Sequence, residues 1–211
     1  MLCDCGLPAL EAARCFPHLW GMIADSDSSI EGKLLIAMPG LSDTRFEHSV
    51  IFMCAHSDEG SLGLIVNKPT PELEFSALLK QLEIDVGKPE REIRVHFGGP
   101  VEHGRGFVLH SGDYLSNEST LRVNDTFGMT ATLDVLEDIA RGHGPASALL
   151  ALGYSGWGPG QLDAEILENG WLTCDASPDL VFGDNDDTKW TDALKTLGVD
   201  ALMLSNTAGR A

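Results

Sequence analysis

The stretch from Leu152 to Leu172 constrains the fold of this chain more than any other part of the sequence. The apolar run that leads into it, residues 148–152, is short enough to be a buried strand. Four glycines, at positions 153, 156, 158 and 160, then open a corner in the chain, and residues 161–169 follow with the apolar spacing of a helix. The stretch therefore predicts a strand, a glycine corner, a helix and a second strand in direct succession.

Two chemical interpretations of the glycine corner are weaker than the structural one. A turn of free amides ahead of a helix attracts phosphate, but the glycine spacing matches neither the dinucleotide pattern nor the P-loop pattern. Asp163 and Glu165 are also assigned to the first helical turn, where their charge repels anions. A serine nucleophile elbow at Ser155 needs glycine two residues later, and that position is Trp157. We interpret Trp157 and Trp171 as aromatic groups packed against the ends of the helix, each with one indole N–H to satisfy.

The remaining apolar patterns mix strands and helices without regular alternation. They predict strands over 33–38, 49–55, 62–66, 93–97 and 106–110, and helices over 72–82, 132–141, 161–169 and 187–197. The second and third of these strands form a hairpin around the turn at 57–60. Because hairpins come early and a strand–helix–strand unit comes late, the order favours an α+β domain over a doubly wound sheet. We assign this single domain to residues 31–211.

Residues 1–30 differ from the rest of the chain and are predicted to form a poorly ordered extension. A further hypothesis places the natural translation start at Met22. Cys3, Cys5, Cys15 and His18 do not have the spacing of a zinc site. The five cysteines are an odd number, and no secretory signal precedes them, which favours reduced thiols in the cytoplasm. No apolar run approaches the ~18–20 residues that a membrane-spanning helix needs.

The chain is strongly acidic, with 32 Asp and Glu residues against 14 Lys and Arg residues and a formal net charge of −18. This charge repels the phosphate backbone of nucleic acids, and no basic stripe in the sequence offsets it. Residues 160–192 contain nine carboxylates against Lys189 alone, which predicts an acidic face. Direct nucleic-acid binding is therefore disfavoured.

Cys54 and His56 form the most reactive pair that the sequence suggests. A thiolate beside an imidazolium has a lowered pKa and acts as a nucleophile or a redox sensor. In a strand, positions 54 and 56 share one face. The alternative is a buried small hydrophobe beside a strand-end histidine, because Cys54 stands in an apolar run. His96, His103 and His110 do not have the spacing of a metal site, and no metal or other cofactor is predicted.

A second candidate site lies in the turns that follow two strands. Asn67 and Lys68 end the hairpin, and Gly98 and Gly99 end the strand over 93–97. Strand-end loops often surround ligand clefts. The Lys68 ammonium, the Arg105 guanidinium and the amides of residues 98–99 therefore predict a site for a small anion.

Short motifs spread over residues 32–205 give the chain a recognisable pattern. Among them are Gly32-Lys-Leu-Leu-Ile-Ala-Met-Pro-Gly40, Cys54-x-His56, Gly63-x-Ile-Val-Asn-Lys-Pro69, Gly98-Gly-Pro-Val101, Arg105-Gly-Phe-Val-Leu-His110, Leu152-Gly-Tyr154, Gly160-Gln-Leu162 and Trp171-Leu172. In content and order these motifs resemble the YqgE/AlgH family of bacterial proteins. The resemblance implies a bifurcated mixed β-sheet, part of it closed into a small barrel, surrounded by about four helices. It implies no catalytic mechanism.

Two classes of function follow. The first is a non-enzymatic binding or regulatory module in the cytoplasm, whose partner is a protein or a small anionic ligand; one member of the family is named as a transcriptional regulator. The second is a thiol-dependent enzyme or redox sensor that uses Cys54 and His56. The acidic composition and the lack of a catalytic signature in the sequence favour the first.

Overall fold

The computed structural model describes residues 29–84, 91–115 and 119–204. The strands are β1 (Lys33–Ala37), β2 (Val50–Ser57), β3 (Gly60–Ile65), β4 (Val95–Phe97), β5 (Val101–Ser111), β6 (Thr120–Arg122), β7 (Phe127–Thr130), β8 (Ala148–Trp157) and β9 (Trp171–Asp175). The α-helices are α1 (Phe75–Gln81), α2 (Leu133–Ala140), α3 (Gln161–Leu167), α4 (Pro178–Phe182) and α5 (Lys189–Thr196). Within these ranges no helix is long and apolar enough to cross a membrane. The predicted N-terminal extension and translation start lie outside the described residues, apart from Ser29 and Ile30.

All of these strands belong to one sheet that forks at β8. The strand order is β6-β7-β5-β8-β3-β2-β1-β9 with antiparallel neighbours, and β4 pairs with β8 in parallel. The first half of β8 lies between β5 and β4, where Leu150 stands opposite Val95. Its second half leaves β4 and pairs with β3, where Trp157 stands opposite Ser61. The sheet curls into a half-barrel, so the predicted α+β class and bifurcated mixed sheet are confirmed.

Two glycines allow the branches of the fork to meet. A Cβ atom on Gly98 would stand 2.2 Å from the carbonyl oxygen of Gly153, and one on Gly99 would overlap the backbone of β8 as closely. Without a Cβ, Gly98 donates its N–H to the carbonyl of Leu152 at 2.8 Å and accepts the N–H of Ile65 at 2.9 Å. Because Leu152 belongs to β8 and Ile65 to β3, the backbone at 98–99 ties both branches together.

Helices cover the sheet over three apolar clusters. The first lies under α5 and includes Cys54 and Leu194. The second lies under α1 and α2 and includes Ile139. The third lies under α3 and includes Trp157 and Trp171. Each face of the sheet is therefore buried, and the functional candidates lie where polar side chains interrupt these clusters.

The observed elements differ from the sequence prediction mainly at their ends. Helix α1 begins at Phe75 rather than at 72, because Thr70 still pairs with Val95 in an extended conformation and the Leu73 N–H closes a turn onto Thr70. The described residues contain five α-helices where about four are implied. The β6–β7 hairpin and α4 are not predicted, because polar residues, glycine or proline leave these three- to five-residue elements without a continuous apolar run.

Candidate functional site

Four charged or titratable side chains meet between the sheet and the C-terminal helices. We call them the Asp186 cluster; its members are Arg94, His96, Asp186 and Lys189. The Asp186 carboxylate accepts hydrogen bonds from Arg94 Nη1 at 2.6 Å and from Lys189 Nζ at 2.8 Å, and His96 Nε2 lies 3.2 Å from Oδ1. His96, Asp186 and Lys189 are buried, and Arg94 is half-buried. The cluster is therefore a set of paired charges largely withdrawn from water.

The donors of this cluster fasten α4 and α5 to the sheet. Lys189 Nζ also donates to the carbonyl oxygens of Val66 and Val181, at 2.8 and 2.9 Å. Arg94 donates to two carbonyl oxygens at the end of α4, each at 2.8 Å. All three protons of the Lys189 ammonium are therefore used within the protein. The geometry makes the cluster a structural joint between sheet and helices.

Burial and pairing act in opposite directions on the pKa values of the cluster. Burial alone would raise the pKa of Asp186, but His96 and Lys189 outweigh it and hold that pKa well below its usual range. Burial lowers the pKa of Lys189, and the Asp186 carboxylate opposes this shift. Asp186 therefore stays ionised at neutral pH and serves as the counter-ion of its basic neighbours.

A second polar centre holds the glycine corner against α3. Trp157 and Trp171 both donate their indole N–H to Oε2 of Glu165, at 2.9 and 2.8 Å, and Gln161 donates to Oε1 at 2.8 Å. The two indole rings meet edge to face with centroids 5.9 Å apart. The prediction that both tryptophans pack against this helix is confirmed. The assignment of Glu165 to the first turn is wrong, because its carboxylate faces the rings and only Asp163 lies in that turn.

Cys54 and His56 lie on opposite faces of β2. The pairing of β2 with β3 shifts its register at position 54, which makes Cys54 the extra residue of a β-bulge. Its side chain is 0% exposed and belongs to the cluster under α5. His56 faces α3, with Nδ1 2.7 Å from Ser61 Oγ and Nε2 3.6 Å from Asp163 Oδ1. The prediction that positions 54 and 56 share a face is wrong, because the bulge reverses the alternation of side chains.

The environment of Cys54 leads to a prediction about its reactivity. Burial raises the pKa of the Cys54 thiol strongly, and the Glu31 carboxylate adds to the shift. In the folded protein near pH ~8, we expect iodoacetamide to modify Cys54 at least about 100-fold more slowly than in the urea-unfolded chain. Peptide mass spectrometry resolves Cys54 from the other cysteines. Equal rates in the two states would contradict this expectation and support the thiol-dependent alternative.

Asn67 and Lys68 make hydrogen bonds within the protein. The Asn67 side chain accepts the N–H of Val50 and donates to the carbonyl of His48, both at 2.8 Å. Lys68 Nζ donates to the carbonyl of Arg45 at 2.7 Å. Burial lowers the pKa of Lys68, and the nearby carboxylates of residues 43 and 47 oppose this shift. These carboxylates also weaken the attraction of Lys68 for an anion.

The other residues of the predicted small-anion site also contact groups within the protein. The Gly98 N–H is bonded to β8, and Gly99 packs against the same strand. The Arg105 guanidinium lies 3.3 Å from a carboxylate oxygen of Glu102 and 5.0 Å from the centroid of the Phe107 ring. The structure thus places Gly98 and Gly99 together at the fork and gives Lys68 and Arg105 separate partners. Anion binding by Asn67, Lys68, Gly98, Gly99 and Arg105 stays a prediction.

An open groove of about 550 Å³ lies between residues 69–76 and the segment 92–95, which leads into β4. It forms because Thr70 pairs with Val95 and the next residue, Pro71, has no N–H, so the chain leaves the strand and enters α1. Glu74 and Glu92 line the groove and are exposed. Most of its wall is apolar and is formed by Pro69, Pro71, Leu73, Phe75, Ile93 and Val95.

Parts of the sequence indicate these features incompletely. The two indole N–H groups beside a helix indicated a buried acceptor, although not that Glu165 supplies it. Lys189 stands alone in an acidic run, yet its spacing from Asp186 is that of any exposed helical ion pair. One sequence feature indicates the groove: the prolines of Pro69-Thr-Pro71 follow a strand and predict that strand pairing ends near them.

The fold and its polar joints define a class of α+β proteins in which a forked half-barrel sheet holds its C-terminal helices through a buried ion cluster. The chain belongs to the AlgH-like family, whose model matches residues 34–202. It is 62% identical over 183 residues to a UPF0301 protein of Ruegeria pomeroyi and 58% identical over 182 residues to one of Cereibacter sphaeroides. Each alignment covers 86% of this chain and 99% of the relative. The predicted family is confirmed.

Solved structures support the same assignment. The solution structure of the AlgH protein from Pseudomonas aeruginosa is similar with a TM-score of 0.72 at 39% identity, covering 90% of this chain and 100% of that one. An X-ray structure of a protein from Corynebacterium diphtheriae has a TM-score of 0.65 at 18% identity and covers 82% of this chain and 90% of that one. The second comparison shows the fold alone.

Proposed function

We propose that the protein is a non-enzymatic binding module of the cytoplasm that takes an extended apolar segment of a partner protein into the groove beside α1. The observation that carries this proposal is the groove itself, with apolar walls and, along one side, the segment that leads into β4. A regulatory activity would then follow from the partner that is held. Nucleic acid is not the proposed partner, because the net charge of −18 repels phosphate.

The backbone along the groove suits an extended segment. The carbonyl oxygen of Arg94 accepts the N–H of Leu150 in β8. Because backbone groups alternate in direction along an extended segment, those of Ile93 and Val95 point towards the groove. Val95 uses its carbonyl for Thr70, whereas the N–H and C=O of Ile93 have no partner among the described residues. An incoming segment can therefore make main-chain hydrogen bonds there and place apolar side chains against the wall.

The charges beside the groove narrow the chemistry of the partner. Glu74 and Glu92 are exposed lining residues, and the described lining includes one basic residue, Arg94, whose guanidinium is already paired with Asp186. A small anion is therefore a poor occupant. A segment with alternating apolar residues and occasional Lys or Arg matches both the wall and the glutamates.

A displayed library of random peptides tests this proposal. Peptides selected on the wild-type protein are measured by calorimetry against Ser76→Trp, which fills the groove, and against Lys80→Trp, which places the same side chain on an exposed position of α1 outside it. We expect at least about tenfold weaker binding to Ser76→Trp and unchanged binding to Lys80→Trp. Selected peptides that bind Ser76→Trp as tightly as the wild type would overturn the proposal.

A further inference from the structure

The sheet ends in two edge strands, and the longer of them, β9, presents an open edge. Strand β6 has three residues and β9 has five. The Met38 N–H bonds to the carbonyl of Gly170 at 3.0 Å, which fixes the register of β9 against β1. By antiparallel alternation, Leu172 and Cys174 turn their backbone groups towards β1. The residues between and beyond them turn theirs away from the sheet.

Three residues of β9 therefore carry the outward-facing backbone groups: Trp171, Thr173 and Asp175. Among the described strands β9 pairs with β1 alone, and no other described residue forms a hydrogen bond with these outward backbone groups. Because Trp171 is buried, the accessible groups are those of Thr173 and Asp175. Helix α3 packs beside the strand on one face, and the cluster under α5 lies on the other. The edge is thus a row of donors and acceptors that an added strand can use.

The charge around this edge is mainly negative, although Lys33 of β1 stands opposite Asp175. Residues 160–188 contain eight carboxylates and no Lys, Arg or His. Asp175 at the end of β9, Glu168 just before it and Asp179 just after it are all exposed. A second copy of this chain is a poor occupant, because pairing two such edges would bring like charges together on chains of net charge −18 each.

We propose that β9 is the docking strand for an extended basic segment of a partner protein, which joins the sheet at this edge. The main-chain groups of Thr173 and Asp175 supply the hydrogen bonds, and the surrounding carboxylates select Lys and Arg in the added strand. The same carboxylates discourage pairing with a second copy, so the edge is kept open for a partner of opposite charge. This surface is separate from the groove beside α1.

The probe is a fluorescein-labelled peptide of alternating Lys and Val, compared with the same peptide carrying Glu in place of Lys. Fluorescence anisotropy at low salt gives the affinity, and amide chemical shifts give the location. We expect the Lys–Val peptide to bind, with shifts centred on residues 171–175, and the Glu–Val peptide to bind at least about 100-fold more weakly. Raising the salt concentration should weaken the complex.

Two substitutions separate edge pairing from diffuse attraction to an acidic surface. Thr173→Pro removes one outward N–H and should weaken binding at least about tenfold, whereas Thr173→Val keeps that N–H and should bind like the wild type. Asp175→Lys should also weaken binding, without altering the backbone of the edge. Near-ultraviolet circular dichroism establishes whether each variant is folded. If Thr173→Pro does not fold, the binding measured for Asp175→Lys decides the test.

Several results would overturn the inference. They are undiminished binding to Thr173→Pro or to Asp175→Lys, amide shifts scattered over the acidic surface, and self-association through β9 measured by light scattering. Weaker Lys–Val binding to Ser76→Trp together with undiminished binding to Thr173→Pro would place the peptide in the groove beside α1 and overturn the inference, so loss of the groove proposal and loss of the edge proposal are distinguishable.

Discussion

Replacing Asp186 with alanine is expected to lower the free energy of unfolding by about 3–5 kcal/mol, because it leaves Lys189 buried without its counter-ion. Lys189 keeps two carbonyl partners, but neither neutralises its charge. Arg94 loses its 2.6 Å contact as well. Urea unfolding followed by circular dichroism measures the loss.

Asp184 supplies a matched control two residues away. Its side chain is 95% exposed and lies 3.5 Å from Arg94, so it joins the same guanidinium from the solvent side. Asp184→Ala should change the free energy of unfolding by no more than about 0.5–1 kcal/mol. Equal effects of Asp184→Ala and Asp186→Ala would contradict the assignment of Asp186 as the buried joint.

The Asp186 cluster also predicts how stability depends on pH. Because the folded protein holds the pKa of Asp186 below its unfolded value, it binds fewer protons at this site than the unfolded chain does in mildly acid solution. The resulting stabilisation is complete above about pH 4, the ordinary value for aspartate, and is lost as the pH falls further. Asp186→Asn should therefore flatten the acid side of the stability profile.

The second large effect is expected at Glu165. Glu165→Ala removes the one acceptor shared by the indole N–H groups of Trp157 and Trp171, both of which are buried. Leaving two buried donors unsatisfied should cost about 3 kcal/mol of unfolding free energy, and the near-ultraviolet circular dichroism of the tryptophans should change with it.

Glu168 provides the comparison for this substitution. It follows the same helix and is exposed, and Glu168→Ala should alter stability by less than about 0.5 kcal/mol. Glu165→Gln keeps a carbonyl oxygen as an acceptor and should lose less stability than Glu165→Ala. If both substitutions at Glu165 were as mild as Glu168→Ala, the shared carboxylate would not be holding the glycine corner.

Local patterns in the sequence predicted most of the sheet and the longer helices. The run at 148–152 and the spacing over 161–169 correctly predicted β8 and α3, but β8 continues to Trp157. Gly153 and Gly156 therefore lie within the strand, and only Gly158 and Gly160 form the predicted corner. These signals are local, since apolar periodicity and glycine conformational freedom act over a few neighbours. The same reasoning correctly gave the tryptophans a packing position beside α3.

The candidate site depended on contacts that local patterns do not contain. The β-bulge at Cys54 changes the face of every later residue in β2, and one inserted residue leaves no mark in the alternation of a continuous apolar run. Arg94 meets Asp186 only because β4 enters the fork beside α4 and α5. The burial of Lys189 is likewise decided by the sheet across from it, because the polar residues 184–188 that precede it would indicate an exposed position.

The fork at β8 also sets the order in which the chain can fold during synthesis. Strands β3, β4 and β5 all pair with β8. One edge of β1 pairs with β9, which is synthesised later still. The nascent chain must therefore carry several unpaired strand edges until the ribosome has passed the glycine corner. Sheets built from such distant pairings fold slowly, so we expect truncation just before β8 to leave a product that is retained by chaperones rather than a stable fragment.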